Sequence, residues 1–212
     1  MAAKRQTEND WQRMWDARVK GLASVLGKPE GKVFYAFFPF EMGGFADVLT
    51  FSGFVRGKTY VTADCTGPGS SQLRTRLGNY ELMVCTKKPS PAAADFISKL
   101  APFTLKAKLQ PGDTMEFPRR QAGSTLKGLV FTHPGEQPSY FRFLGRRYGL
   151  LLCICVTKDE LAWAKTEGSD ALLPILKERG VFPYTVFDRG SVLKPEKRAK
   201  AKARRRGASR GD

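Results

Sequence analysis

Two carboxylates stand where an apolar strand would bury them. Asp64 ends the strand-like segment 59–64, and Glu81 lies inside the segment 80–85. A carboxylate in such a place must be paired or must reach water at the rim of a sheet, because an unpaired buried charge is very unfavourable. The pattern favours side chains that face water. Arg189 follows the last strand-like segment and is a candidate cationic partner for one of the two carboxylates.

The other groups that could carry chemistry have simpler explanations. Asp159 and Glu160 belong to a Thr-x-x-Glu capping box, where negative charge stabilises the start of a helix. His133 is the single histidine and lies in a turn, which leaves few ways to pair a nucleophile with a base. Gly67-Pro68-Gly69 lacks the next glycine of a dinucleotide loop, and P-loop, HExxH and GxSxG motifs are absent. We therefore expect neither an enzyme nor a cofactor.

The four cysteines have the spacing of core residues. Cys153 and Cys155 are one residue apart in an apolar run, so their side chains share one face of a strand. A zinc site would instead place its cysteines on a turn, with further ligands nearby. We expect buried free thiols at Cys65, Cys85, Cys153 and Cys155, with neither zinc nor a disulfide.

Composition indicates a folded chain of about one domain. It has 212 residues, of which 42% are hydrophobic and 11% aromatic. The longest apolar run, 149–156, is far shorter than the ~20 residues of a membrane span. The N-terminus has neither the apolar stretch nor the cleavage site of a signal peptide. We expect a cytoplasmic protein without a membrane partner.

The net charge of +16 is concentrated at the C-terminus. Residues 194–212 hold nine lysines and arginines against Glu196 and Asp212, which leaves +9 for the preceding residues. This segment has no aromatic residue and is predicted to be a basic disordered tail. A solubilising role is favoured, since the tail offers nothing on which bases could stack. An electrostatic arm for nucleic acid is the alternative.

The elements that must position these residues follow from periodicity. Apolar residues at three- and four-residue steps predict a helix over Asp10–Leu26, which we take with residues 1–29 as a unit packed on the body. Further helices should begin at Ser90-Pro91, after Thr157 and at Ser169-Asp170. Residues 111–124 read as a loop. Strand-like segments are 33–38, 45–54, 59–64, 80–85, 125–131, 140–144 and 149–156.

The arrangement of these elements predicts the fold class. The continuous apolar run 149–156 fits a central strand covered on both faces, and segments 45–54 and 59–64 should form a hairpin. Strands cluster in the middle of the chain and helices on its flanks. The sequence therefore predicts an α+β fold with a mostly antiparallel central sheet flanked by helices.

The order of the segments resembles the Suppressor of fused domains. Thr62–Pro68 followed by Gly78–Leu82 is similar to their strand-loop-strand, in which a Thr-Gly segment leads to a Glu-Leu strand. The resemblance covers roughly residues 30–193. It continues through the helix Ala94–Leu100, the turn Gly112-Asp113-Thr114, the strand Leu126–Phe131, the Thr157-x-x-Glu160-Leu161 box, Gly168, Ala171-Leu172-Leu173 and Asp188-Arg189-Gly190-Ser191-Val192.

This resemblance implies a non-catalytic protein-binding domain. Animal members of the family restrain a transcription factor by binding an extended segment of it, and many bacterial members look like immunity proteins that neutralise a toxin. The implied partner is a toxin or a regulatory polypeptide, bound at a sheet edge or a cleft near segments 64–68 and 80–81. The implied partner-binding residues are Asp64, Thr66, Gly67, Tyr80, Glu81, Asp188 and Arg189. A nucleic-acid-associated protein is the alternative.

Overall fold

A computed structural model describes residues 2–38, 40–117, 125–135 and 138–193. The helices within them are α1 (Ala2–Leu26), α2 (Pro91–Leu100), α3 (Lys158–Glu167) and α4 (Ser169–Glu178). The strands are β1 (Gly27–Phe34), β2 (Val48–Gly53), β3 (Lys58–Thr62), β4 (Tyr80–Thr86), β5 (Thr114–Glu116), β6 (Leu126–Thr132), β7 (Tyr140–Phe143) and β8 (Arg146–Thr157). The predicted tail, 194–212, lies outside the described residues.

The strands form one mixed sheet in the order β1-β2-β3-β4-β8-β6-β5. Every pairing between these strands is antiparallel except that of β4 with β8. Gly149 of β8 lies between Tyr80 of β4 and Tyr140 of β7, so β7 continues along the same side of β8 as β6. The predicted α+β fold with a mostly antiparallel sheet is confirmed.

Strand β8 is the centre of the molecule, as its unbroken apolar run predicts. Leu150, Leu152 and Ile154 belong to a core cluster that also contains residues of α1, α3 and α4. Leu151 and Cys153 belong to a second cluster, on the face that α2 covers. Successive side chains of a strand point to opposite faces, so a strand that is covered on both faces needs an apolar residue at every position.

Helix α1 contains the predicted helix Asp10–Leu26, begins earlier, at Ala2, and packs on the body of the domain. Leu22 and Leu26 are fully buried in the first core cluster. A Cβ atom added to Gly21 would lie 2.3 Å from the carbonyl oxygen of Arg142, so only glycine lets the helix approach β7 this closely. None of the described helices has the length and apolarity of a membrane span.

Two predicted segments differ most from the structure. Strand β1 starts directly after α1 and ends at Phe34, whereas the sequence predicted a turn at 27–31 and a strand at 33–38. Pairing with β2 overrides local propensity here, with a register shift between Pro29 and Val33. The short strand β5 lies inside the predicted loop 111–124, because Thr114–Glu116 pair with β6 at the edge of the sheet.

Candidate functional site

Glu81 is fully buried at the start of β4, on the face of the sheet that α1 covers. Its carboxylate accepts four hydrogen bonds, from Thr62 Oγ1 at 2.6 Å, Cys65 N at 3.3 Å, Thr66 N at 2.9 Å and Thr66 Oγ1 at 2.7 Å. A carboxylate with donors on both oxygens is satisfied as an acceptor. Glu81 thereby fixes the loop that follows β3. The expectation that this side chain faces water is wrong.

Arg18 of α1 supplies the positive charge above this carboxylate. It is buried, and its Nη2 donates to the carbonyl of Thr66 at 2.6 Å. Burial raises the pKa of Glu81, and the charge of Arg18 and the Thr62 and Thr66 hydrogen bonds act against that rise. Gly67 has φ of +153°, and a side chain there would come within 3.3 Å of Arg18. Glycine is therefore required beside the arginine.

Two more carboxylates share the charge of Arg18. Asp64 is largely buried, and its Oδ1 has no hydrogen-bond partner in the described part of the chain. Burial, together with the negative charges of Glu81 and Asp47, raises the pKa of Asp64 to about 8. Burial also raises the pKa of Asp47. Burial, reinforced by the two neighbouring carboxylates, therefore favours the protonated form of Asp64 at neutral pH.

The carboxylate cluster holds two surface segments in place. Asp47 Oδ1 accepts from the backbone N–H of Ala36 at 2.8 Å, and the Asp47 carbonyl accepts from Ala63 N at 2.8 Å. The first segment is 34–45 and the second is the loop 65–69. We call the exposed apolar side chains of the first segment the aromatic surface: Phe34, Tyr35, Phe37, Phe38, Met42 and Phe45.

A second buried glutamate lies at the other end of β8. Glu160 receives both terminal nitrogens of Arg189, at 2.5 and 2.7 Å, and the backbone N–H groups of Thr157 and Val192, at 2.9 and 2.7 Å. Burial raises the pKa of Glu160, but the hydrogen bonds of Arg189, Thr157 and Val192 outweigh burial, so the pKa is lowered overall. The predicted capping box is present, and it also anchors the end of the described chain.

The structure brings together only part of the predicted site. Asp64, Thr66, Gly67 and Glu81 meet around Arg18, whereas Tyr80 is fully buried on the opposite face of the sheet. Exposed Asp188 and its neighbour Arg189 lie at the far end of β8. Glu81 is opposite Leu150 and the Glu160 cluster begins at Thr157, so seven residues of strand, roughly 23 Å, separate the two clusters.

Two expectations about this site are therefore corrected. Arg189 pairs with Glu160 and not with Glu81 or Asp64. The segment 80–81 offers no free sheet edge, because β4 is paired with β3 on one side and β8 on the other. The edges of the described sheet are β1 and β5 instead.

Sequence reasoning missed Arg18 and Asp47. Arg18 lies three residues after Trp15 and four before Leu22, on the apolar stripe of α1. A single charged residue on the apolar stripe of a helix predicts a buried ion pair. Asp47 gave no such sign, since its role depends on the position of the segment 34–45, of which residues 34–38 were predicted to form a strand.

Neither buried glutamate has a carboxylate oxygen without a donor. The acceptors of Glu81 and Glu160 are occupied by donors of the protein itself. All four cysteines are buried, and burial raises the pKa of each thiol, which keeps it protonated. Among the described residues, no three histidine, cysteine or acidic side chains are grouped to hold a metal ion. What the first cluster does is position surface segments.

Comparisons with known proteins agree with this picture. The family model described as Suppressor of fused protein (SUFU) matches residues 47–190. No curated protein matches the chain.

Solved structures share the fold, among them the following three. A chain of the Sufu–Fu complex has a TM-score of 0.65 and 15% identity, over 85% of this chain and 92% of that one. Drosophila Suppressor of Fused has a TM-score of 0.66 and 14% identity, over 95% of this chain and 55% of that one. A SUFU homologue from Neisseria gonorrhoeae has a TM-score of 0.60 and 16% identity, over 86% and 98%. With the family model spanning most of the sequence, this chain belongs to the Suppressor of fused family.

Proposed function

We propose that this chain is a protein-binding domain that holds a partner polypeptide and catalyses no reaction. Its family supports a protein-interaction role, and one relative of the same fold was solved as the Sufu–Fu complex. The finer proposal is that binding sequesters or neutralises the partner, as an immunity protein does with a toxin.

The aromatic surface is the observation that carries this proposal. Phe37 is fully exposed and Tyr35 is 70% exposed, on a segment that Asp47 ties to the body. Exposed apolar patches of this kind mark interaction sites, and aromatic residues dominate binding hot spots. Anchoring lowers the entropy that a contact segment loses on binding, so a fixed aromatic segment suits recognition.

The structure next to this surface suits an extended partner segment. Strand β1 ends the described sheet, and in the described part of the chain its outer edge has no strand partner. A groove of about 850 Å³ opens beside Phe34, lined by Thr50 and Tyr60 of the sheet and by Ser90 and Pro91 at the start of α2. Backbone pairing along β1 would supply affinity, and the groove would select a side chain. We therefore propose that an extended partner segment pairs with the edge of β1.

The test compares partner capture by the wild type with capture by a Tyr35→Ser/Phe37→Ser variant. Extract of the source cells is cross-linked to the immobilised protein, and the captured polypeptide is identified, purified and titrated by calorimetry. Two hot-spot aromatics removed together should weaken binding by roughly 100-fold. Trp163→Ser, at an exposed aromatic residue of α3, is the matched control and should bind as the wild type does.

Two results would contradict the proposal. One is equal affinity of the Tyr35→Ser/Phe37→Ser variant and the wild type for the captured polypeptide. The other is capture that disappears on nuclease treatment, which would favour the nucleic-acid alternative. The immunity role has its own test: expression of the captured polypeptide alone should arrest growth, and co-expression of the wild type should restore it.

A further inference from the structure

The hairpin formed by β7 and β8 ends in a strained, exposed leucine. Its two-residue turn is Leu144-Gly145, with φ of 47° and 71°. Leu144 is the only residue other than glycine with positive φ in the described part of the chain, and it is 51% exposed. Turns of this type favour asparagine or glycine at the first position, because a bulky side chain is disfavoured there. A strained apolar residue at an exposed tip indicates a contact role.

The strands behind the tip expose arginines that repel one another. Arg142 and Arg147 are paired directly opposite each other, and Arg146 follows the turn. All three are exposed, and within the described residues none forms a salt bridge. Like charges at opposite positions of an antiparallel pair are destabilising. This repulsion destabilises the hairpin, and an anionic partner would remove it.

One of these arginines is ordered by a stacking contact within the hairpin. The guanidinium of Arg147 lies 4.4 Å from the centre of the Tyr140 ring, on the same face of the hairpin as Arg142. Stacking fixes the plane of the guanidinium and leaves its N–H donors at the edge, where a carboxylate can accept two of them. Less side-chain entropy is then lost on binding.

The hairpin adjoins the carboxylate cluster. Arg18 lies 5.2 Å from the ring centre of Phe143 in β7 and also donates to the Thr66 carbonyl. Strand β4 first pairs with β8 at Gly149, so in the described sheet residues 146–148 of β8 pair only with β7. The tip thus projects beyond the sheet at the end where the loop 65–69 lies.

We propose that the β7–β8 hairpin binds an acidic polypeptide segment, with Arg142 and Arg147 donating to its carboxylates and Leu144 entering an apolar site between them. This rests on the proposed function, since it gives the chemistry of the partner. Charge complementarity supports it, because residues up to 193 carry a net charge of +9. The leucine favours a polypeptide over nucleic acid, since phosphates would require only the arginines and an apolar tip would have to unstack bases.

The test uses the full chain and a fluorescent peptide of repeated Glu-Glu-Leu-Gly units, with binding followed by anisotropy at physiological salt. The variant is Arg142→Glu/Arg147→Glu. Its matched control, Lys106→Glu/Lys108→Glu, changes the net charge equally at two exposed lysines after α2. The hairpin variant should lose at least about tenfold in affinity, and the control at most about twofold. Leu144→Asn should melt at a higher temperature yet bind the peptide more weakly.

The second probe is labelled duplex DNA with the same net charge as the peptide. The proposal is overturned if the control weakens peptide binding as much as the hairpin variant, since binding would then follow overall charge. It is also overturned if the wild type does not bind the peptide, or if the hairpin change weakens DNA binding more than peptide binding. The partner captured through the aromatic surface separates the two proposals. If the hairpin variant binds that partner as tightly as the wild type does, the hairpin inference fails and the proposed function stands.

Discussion

Glu81 and Glu160 are both fully buried, and each has a buried or largely buried arginine beside it, yet their surroundings differ. Arg189 donates to the Glu160 carboxylate with both terminal nitrogens. Arg18 instead donates to the Thr66 carbonyl beside Glu81, and Asp47 and Asp64 share its charge. The pKa of Glu160 is accordingly lowered, while burial raises the pKa of Glu81.

This difference separates a cluster that closes the fold from one that supports a surface. Glu160 ties the start of α3 to Arg189 and Val192 near the end of the described chain. The Glu81 cluster carries more negative charge than its arginine neutralises, and it anchors the segments 34–45 and 65–69. Excess buried charge is unfavourable for stability, and such sites are commonly functional.

The largest effect is expected at the pair that closes the fold. Arg189→Met should leave Glu160 buried without its cation and lower the free energy of unfolding by about 3–5 kcal/mol. Urea unfolding followed by fluorescence measures this. Arg179→Met, at an exposed arginine after α4, is the control and should change stability by less than about 0.5 kcal/mol. Equal losses in the two variants would show that the pair does not hold the fold.

Arg18→Met should have the next largest effect. It removes the bond to Thr66 and the charge that favours ionised Glu81, and we expect a loss of about 2–4 kcal/mol in the same urea experiment. The loss should be smaller than at Arg189, because four donors still satisfy the Glu81 carboxylate.

The double variant Arg18→Met/Glu81→Gln sharpens this prediction. Glu81→Gln removes the buried negative charge that Arg18→Met leaves without a cation, so part of the lost stability should return. Arg13→Met, on the exposed side of α1, should be neutral. A double variant less stable than Arg18→Met alone would show that Glu81 acts through its hydrogen bonds and not through Arg18.

The fold and the clusters were predictable from the sequence to different extents. Strands such as β8 follow from unbroken apolar runs, and the capping box marked the start of α3 by local rules. The sequence also identified Glu81 and Arg189 as residues needing partners, but it could not pair them correctly. Their partners, Arg18 and Glu160, lie 63 and 29 residues away in the chain, so which groups meet depends on sheet order and helix docking.

Asp64→Asn should stabilise the protein, in contrast to the changes above. The folded pKa of about 8 exceeds the ordinary value of 3.8, so the folded state keeps a proton that the unfolded chain releases. The stability from this proton is fully present below about pH 4 and is lost as pH rises towards 8. Asparagine has no proton to lose, so at pH 7 we expect a gain of about 1–3 kcal/mol.

Urea unfolding at about pH 4, 6 and 8 checks the sign of this pH dependence, because these values span the range between the ordinary and the folded pKa of Asp64. The gain over the wild type should grow with pH. Glu160 has the opposite sign, since its lowered pKa gives stability that is present above its ordinary value of 4.5 and is lost as pH falls. In a plot of stability against pH, Glu160→Gln should therefore flatten the decline at acid pH and leave the slope at higher pH unchanged. A gain from Asp64→Asn that does not depend on pH would contradict the raised pKa.

The smallest effect is expected from removing residues 194–212. The Glu160 cluster is complete at Val192, and Val192 and Leu193 pack against the first core cluster, so the described contacts of this end are kept in a chain of residues 1–193. The melting temperature should stay within error of the full chain, whereas truncation after Phe187 should lower it strongly, because Arg189 and Val192 are then lost. Affinity for duplex DNA should fall in the shorter chain, with a shallower dependence on salt, since nine basic residues are removed. A drop of several degrees for the 1–193 chain would place part of the tail in the fold and extend the closing cluster beyond Leu193.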